Sequence, residues 1–243
     1  MRTSGLRILA SAVALLAGAA GLTAQQGASG TEMWQGKTVT YGLSGDTRPD
    51  IQIRKGERDC RIAMTIDGRV RTVTLRDDDL DVDGERFDLG SYARVSLNAG
   101  RDFLIVSLVV TRSWGASASG SSTAQTASGT LAATSGKTSG SESSGTSTEY
   151  YALGFTDLRG VPIRLRLQGG KSVMCSIVPG ADQRAIRFDI DEGKNTRAVL
   201  VKPGRVIVDG VEKPAGPAAP ILVTASKNAL RITAGRSEVF SRD

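Results

Sequence analysis

The chain has 243 residues, with 31 Lys and Arg against 25 Asp and Glu, two Cys and no His. Without imidazole there is no Ser-His-Asp triad, no Cys-His pair and no histidine metal ligand, so general-base chemistry is left to carboxylates, Lys, Tyr and Cys. Aromatic residues make up only 5%, too few for the stacking platforms that single-stranded nucleic acid requires, and no Lys/Arg block offers an alternative nucleic-acid contact.

The chain opens as an export leader. Arg2 and Arg7 precede an apolar run from Ile8 to Gly21, and Leu22-Thr23-Ala24 ends on a small residue. This is the charged, apolar and small-residue order of a secretory signal peptide, assigned here to residues 1–24. The run is shorter than the ~20 residues of a spanning helix, and no later segment is apolar enough to cross as one. The expected location is therefore the periplasm or the extracellular space.

After the leader, alternating apolar and polar residues mark one short strand after another. The first half gives Lys37–Leu43, Ile51–Lys55, Cys60–Ile66, Val70–Leu75 and Tyr92–Leu97. Phe103–Val110 is almost continuously apolar and predicts a central strand buried on both faces. Residues 115–148 are nearly all Ser, Gly, Thr and Ala, a composition that cannot bury enough apolar surface to offset its ordering entropy, and they predict a flexible linker or loop. Beyond it come Tyr150–Phe155, Ile163–Leu167, Val173–Val178, Ala185–Ile190, Arg197–Val201, Arg205–Val208, Ile221–Thr224 and Leu230–Thr233. The runs are mostly too short for an outer-membrane barrel, which needs ~9–11 residues per strand. The expectation is an all-β fold of two small sandwich- or barrel-like modules, 25–114 and 149–243, or one split sandwich.

The halves resemble each other weakly. Ile51-Gln-Ile-Arg leads to Cys60 as Ile163-Arg-Leu-Arg leads to Cys175, and Val82-Asp83-Gly84 is matched by Val208-Asp209-Gly210. The first match needs an offset of 115 and the second 126, which implies an 11-residue insertion in the second half. In an exported chain, Cys60 and Cys175 predict one disulfide pinning the halves together.

Charge is uneven. Residues 25–113 carry 13 basic and 14 acidic groups, whereas 149–243 carry 15 and 10. A basic second half points to an anionic envelope component, or to another envelope protein, as partner. The candidate contact residues are Arg164, Arg166, Arg184, Arg187, Arg197 and Arg205. Asp79, Asp81, Asp83 and Gly84 match the opening of a calcium loop, but the twelfth position is Gly90 where a bidentate Glu is required. Calcium is the only cofactor this suggests; the competing reading is a strand with outward Asp residues ending in an Asp-Gly turn. No catalytic residue stands out. Three functions follow: a non-enzymatic envelope binding or structural module, a hydrolase of envelope glycans working through paired carboxylates, and a calcium-stabilised adhesin-like module.

Overall fold

The computed structural model describes residues 26–114, 145–191, 196–216 and 218–242. The segment expected to be a leader, most of the Ser/Gly/Thr tract and Glu192 lie outside these. The described chain is all-β. Its first half consists of β1 (Gln26–Trp34), β2 (Lys37–Gly45), β3 (Asp50–Lys55), β4 (Cys60–Ile66), β5 (Arg69–Leu75), β6 (Asp79–Val82), β7 (Glu85–Asp88), β8 (Tyr92–Gly100) and β9 (Phe103–Trp114). The second half consists of β10 (Gly145–Leu158), β11 (Val161–Gly169), β12 (Val173–Gly180), β13 (Gln183–Ile190), β14 (Arg197–Lys202), β15 (Gly204–Val208), β16 (Val211–Gly216), β17 (Ile221–Ala225), β18 (Leu230–Ala234) and β19 (Ser237–Arg242). Among the described residues no helix is long and apolar enough to cross a membrane.

One nine-stranded sheet, in the order β1-β2-β8-β9-β10-β11-β17-β18-β19, runs through both halves. Each half leaves this sheet once to make a five-stranded meander, β3–β7 or β12–β16, and returns parallel to the strand it left, β8 beside β2 and β17 beside β11. The meander is the long crossover that a parallel pair requires. The sheet is continuous because β9 and β10 pair antiparallel over twelve rungs. β10 begins at Gly145, inside the stretch assigned from composition to the linker.

The two satellite sheets cover opposite faces of the central one. Successive side chains of a strand point to opposite faces, and β9 and β10 divide accordingly. Leu104, Val106, Leu108, Leu153 and Phe155 belong to the core beneath β3–β7, while Ile105 and Ala152 belong to the core beneath β12–β16. The run Phe103–Val110, apolar but for Ser107, is fully covered on the face of Leu104, Val106, Leu108 and Val110, whereas on the other face Ile105 is buried and Phe103, Ser107 and Val109 are half-exposed, so the expected burial on both faces is met in part.

The second half thus repeats the first after a half-turn about the direction in which the central sheet grows, which reverses both strand direction and face. Local contacts repeat with it. Asp83-Gly84 and Asp209-Gly210 form the β6–β7 and β15–β16 turns, with φ of 51° and 86° in one and 48° and 88° in the other, the left-handed pair that a two-residue hairpin turn needs. Asp83 accepts from the Thr72 N–H at 2.8 Å and from Arg71 at 2.6 Å; Asp209 accepts from the Ala198 N–H at 3.2 Å and from Arg197 at 3.1 Å. At the other end of each meander, Asp67 accepts from the backbone of Asp46 and Thr47 at 2.9 and 2.8 Å, and Asp191 from that of Lys171 at 2.7 Å.

These equivalences correct the sequence alignment of the halves. The offset is 124 up to Asp67 and Asp191, and 126 from Arg71 and Arg197 onward. Two extra residues in the β13–β14 connection account for the change, in place of an 11-residue insertion. Val-Asp-Gly is correctly matched, but Cys60 is not the counterpart of Cys175. Cys60 opens β4, where the second half has Arg184, and Cys175 sits in β12, where the first half has Ile51. The expected disulfide is also corrected: both thiols are free, each in the core region of its own half.

The two meander-anchoring carboxylates make stability depend on acid. Backbone N–H donors hold the Asp67 and Asp191 carboxyls below the usual range. A depressed folded-state pKa contributes stability above the unfolded value of about 3.9, and that contribution is lost as pH falls through the folded value. Melting temperature measured from pH 7 down to pH ~2 is expected to fall steeply below pH ~4. The double variant Asp67→Asn, Asp191→Asn is expected to start lower and to fall less steeply. An unchanged profile would show that these carboxylates do not anchor the crossovers.

Candidate functional site

Each satellite sheet is narrower than the central one, so part of each central face stays open. Beside β7 the face formed by β11, β17 and β18 emerges from under the first satellite and makes a groove of about 490 Å³ with it. Its apolar side chains are Phe87, Leu89, Leu153 and Ala229; Leu167 and Ala225 also border it, though their side chains belong to the core beneath the second satellite. Arg86, Arg166 and Arg231 border it, with Asp88 its single carboxylate. Thus first-half and second-half residues build it together, at the kind of module junction where ligand pockets favour apolar walls and a few placed polar groups.

Local sequence explains how the guanidiniums get there. In Ile163-Arg164-Leu165-Arg166-Leu167 the leucines and isoleucine enter the second core, which sends Arg164 and Arg166 to the opposite, groove-side face. Both meet Glu85 of β7: Arg164 Nε donates at 3.0 Å to one carboxylate oxygen and Arg166 Nη2 at 3.2 Å to the other. Arg164 also lies 5.2 Å over the Phe155 ring, and Arg166 lies 5.0 Å over Phe87. Arg231 pairs with Glu238 at 2.8 Å, and Arg86 pairs with Asp79. A guanidinium carries five donors, so Arg166 and Arg231 can hold their carboxylates and still donate to a ligand.

Tyr151 also lines the groove. Desolvation and its hydrogen bond to Glu149 push its hydroxyl up to about 12. It is a neutral donor at physiological pH and is not poised to abstract protons. The groove offers one carboxylate where glycoside hydrolysis needs a facing pair.

The other sequence candidates are dispersed. Arg184 is buried, donating to Thr156 Oγ1 at 3.2 Å and to the Gln183 carbonyl at 3.0 Å, so it ties β13 to β10. Arg187 is exposed beside Met174, Cys175 and Phe188 on the second satellite. Arg197 pairs with Asp209, and Arg205 pairs with Glu212 at 3.1 Å. Of the six arginines, Arg166 lines the groove and Arg164 stands beside it on the same Glu85 carboxylate; the other four do not line it. The Asp79, Asp81 and Asp83 carboxylates go to three different partners: Arg86, the Gly84 N–H, and Arg71 with the Thr72 N–H. Among the described residues no group of three His, Cys, Asp or Glu side chains could hold a metal ion. Cys175 is a partly buried thiol whose pKa desolvation pushes up to about 12, which makes it a poor nucleophile.

Sequence reasoning reached Arg166 through its alternation. It missed Arg86, Arg231, Leu89 and Ala229, which belong to segments that meet only in the folded sheet. Compared with known proteins, the chain matches no family model, no curated protein and no solved structure.

Proposed function

We propose that this chain is an exported, non-enzymatic binding module whose groove holds an amphipathic anion, a ligand with an apolar body and a carboxylate or phosphate head. The observation that carries the reading is the combination of apolar side chains, Phe87, Leu89, Leu153 and Ala229, with three guanidiniums at the border. Arginine suits such a head group because its planar fork can donate two parallel hydrogen bonds. The volume lies within the range of small-molecule pockets. The basic start and apolar run of residues 1–21 support export, and an anionic lipid of the envelope has the required chemistry.

The test uses the fluorescent anion 1-anilinonaphthalene-8-sulfonate as a probe, with dodecanoate as competitor. The folded protein is expected to bind one probe per chain, to release it to dodecanoate, and to bind it more weakly as salt rises. Arg231→Ala is expected to weaken binding by roughly 10-fold, the loss of one charge-assisted contact. Ala229→Trp, which fills the groove, is expected to abolish it. Probe binding that survives Ala229→Trp would refute the assignment.

A further inference from the structure

We propose that the outer face of the second satellite sheet, the face turned away from the central sheet, is an interface through which two copies of this chain associate. The argument is a comparison of the molecule with itself. Across that face one row of side chains runs Val178, Ala185, Leu200, Ile207 and Glu212, each paired with the next across β12 to β16. These side chains point outward because their neighbours Ile177, Ile186, Val199, Val201, Val206 and Val208 fill the core. In the first satellite the equivalent row, paired in the same way, is Arg54, Arg61, Thr74, Asp81 and Arg86. The same fold in the same protein therefore accepts charged and polar residues at positions where the second half carries four apolar ones. Val178 and Met174 are 60% and 63% exposed, and Met174 occupies the position held by Asp50 in the first half. β12 has no charged residue, although it is an edge strand, where charge ordinarily guards against association.

The pattern fits a second copy of itself. A twofold axis parallel to the strands, between β13 and β14, reverses the row on the facing sheet. Val178 then meets Ile207, and the small Ala185 meets the large Leu200, so the side chains interdigitate as in aligned sheet packing. In the adjacent row Arg187, paired with Ala198 across β13 and β14, faces the partner's alanine instead of a like charge. With the axis between β13 and β14, the four strands β12 to β15 overlap; at ~4.8 Å spacing and about 20 Å length they cover roughly 380 Å² per copy, or about 770 Å² in all, the size of a weak, reversible association.

Sedimentation equilibrium of the mature chain across the micromolar range tests the proposal. The protein is expected to dimerise. A variant carrying Val178→Arg, Leu200→Thr and Ile207→Asp, the residues the first half uses, is expected to keep its circular dichroism spectrum and to associate at least ~100-fold more weakly. Ala185→Arg alone, copying Arg61, is expected to act in the same direction. A wild-type chain that stays monomeric throughout, or a folded triple variant that dimerises as tightly as wild type, would overturn the proposal. The groove is remote from this row in the sheet order, so loss of dimerisation leaves probe binding unchanged.

Discussion

Replacing Phe155 by Ala is expected to cost about 3–5 kcal/mol of unfolding free energy, the usual range for a buried aromatic lost to a cavity. Phe155 is 1% exposed, and its ring meets Phe87 edge-on at a centroid distance of 5.7 Å. Arg164 rests against it and is held in turn by Glu85. The residue belongs to β10, the opening strand of the second half, yet its side chain completes the core beneath the first satellite. Its removal therefore strikes both halves. Urea unfolding followed by tryptophan fluorescence and by far-ultraviolet circular dichroism is expected to show coincident transitions, in the wild type and in the variant. Fluorescence reports on the first half through the buried Trp34. A loss below ~1 kcal/mol, far short of the cavity range, or two separated transitions, would show that the halves are not interlocked.

A second large effect is expected at Gly169. This residue ends β11, where the chain leaves the central sheet, and Asp191 anchors the backbone just beyond it. A Cβ at Gly169 would stand 2.5 Å from the Ser172 carbonyl oxygen, 2.9 Å from Val173 Cγ2 and 3.0 Å from Asp191 Oδ1. The nearest obstacle is backbone, which cannot rotate aside. Gly169→Ala is expected to destabilise by about 2–3 kcal/mol, towards the upper end of overpacking costs. At the equivalent Gly45 the nearest atoms are Asp67 carboxylate oxygens and Ile66 Cγ2, all at 3.0 Å. These are side-chain atoms with some room to yield, and Gly45→Ala is expected to cost about 1 kcal/mol. Equal effects of the two substitutions in thermal or urea unfolding would contradict this account of the crossovers.

The strands were legible wherever one face is buried and the other wet. Val199, Val201, Val206 and Val208 alternate with half-exposed neighbours and gave β14 and β15 directly. β1 escaped detection because Gly27, Ala28, Ser29 and Gly30 carry no alternation, and pairing with β2 alone places them. β16 contains Pro214, which argues against a central strand and is tolerated at a sheet edge. The repeat was half legible. The Asp-Gly turns keep their sequence because their backbone demands it, whereas Cys60 and Cys175 are core-filling residues with no shared role.

The candidate site was the least legible part. Alternation fixed which face Arg164 and Arg166 occupy, but Glu85 lies 79 positions from Arg164, and its acidic neighbours read as a calcium loop or a solvated strand. Leu89, Ala229 and Arg231 carry no motif at all. They form a groove because the first satellite stops at β7 while the central sheet continues to β19. Sequence periodicity describes one strand at a time and does not report where one sheet ends above another.

The groove is tested most directly by amide hydrogen exchange of the chain with and without dodecanoate. Added protection is expected in the segments carrying Leu89, Tyr151, Gln168 and Ala225 to Arg231, with the β1–β2 hairpin and the outer strand β12 unchanged. Protection centred elsewhere, or none at concentrations that displace the fluorescent probe, would contradict the assignment of the groove as the binding site.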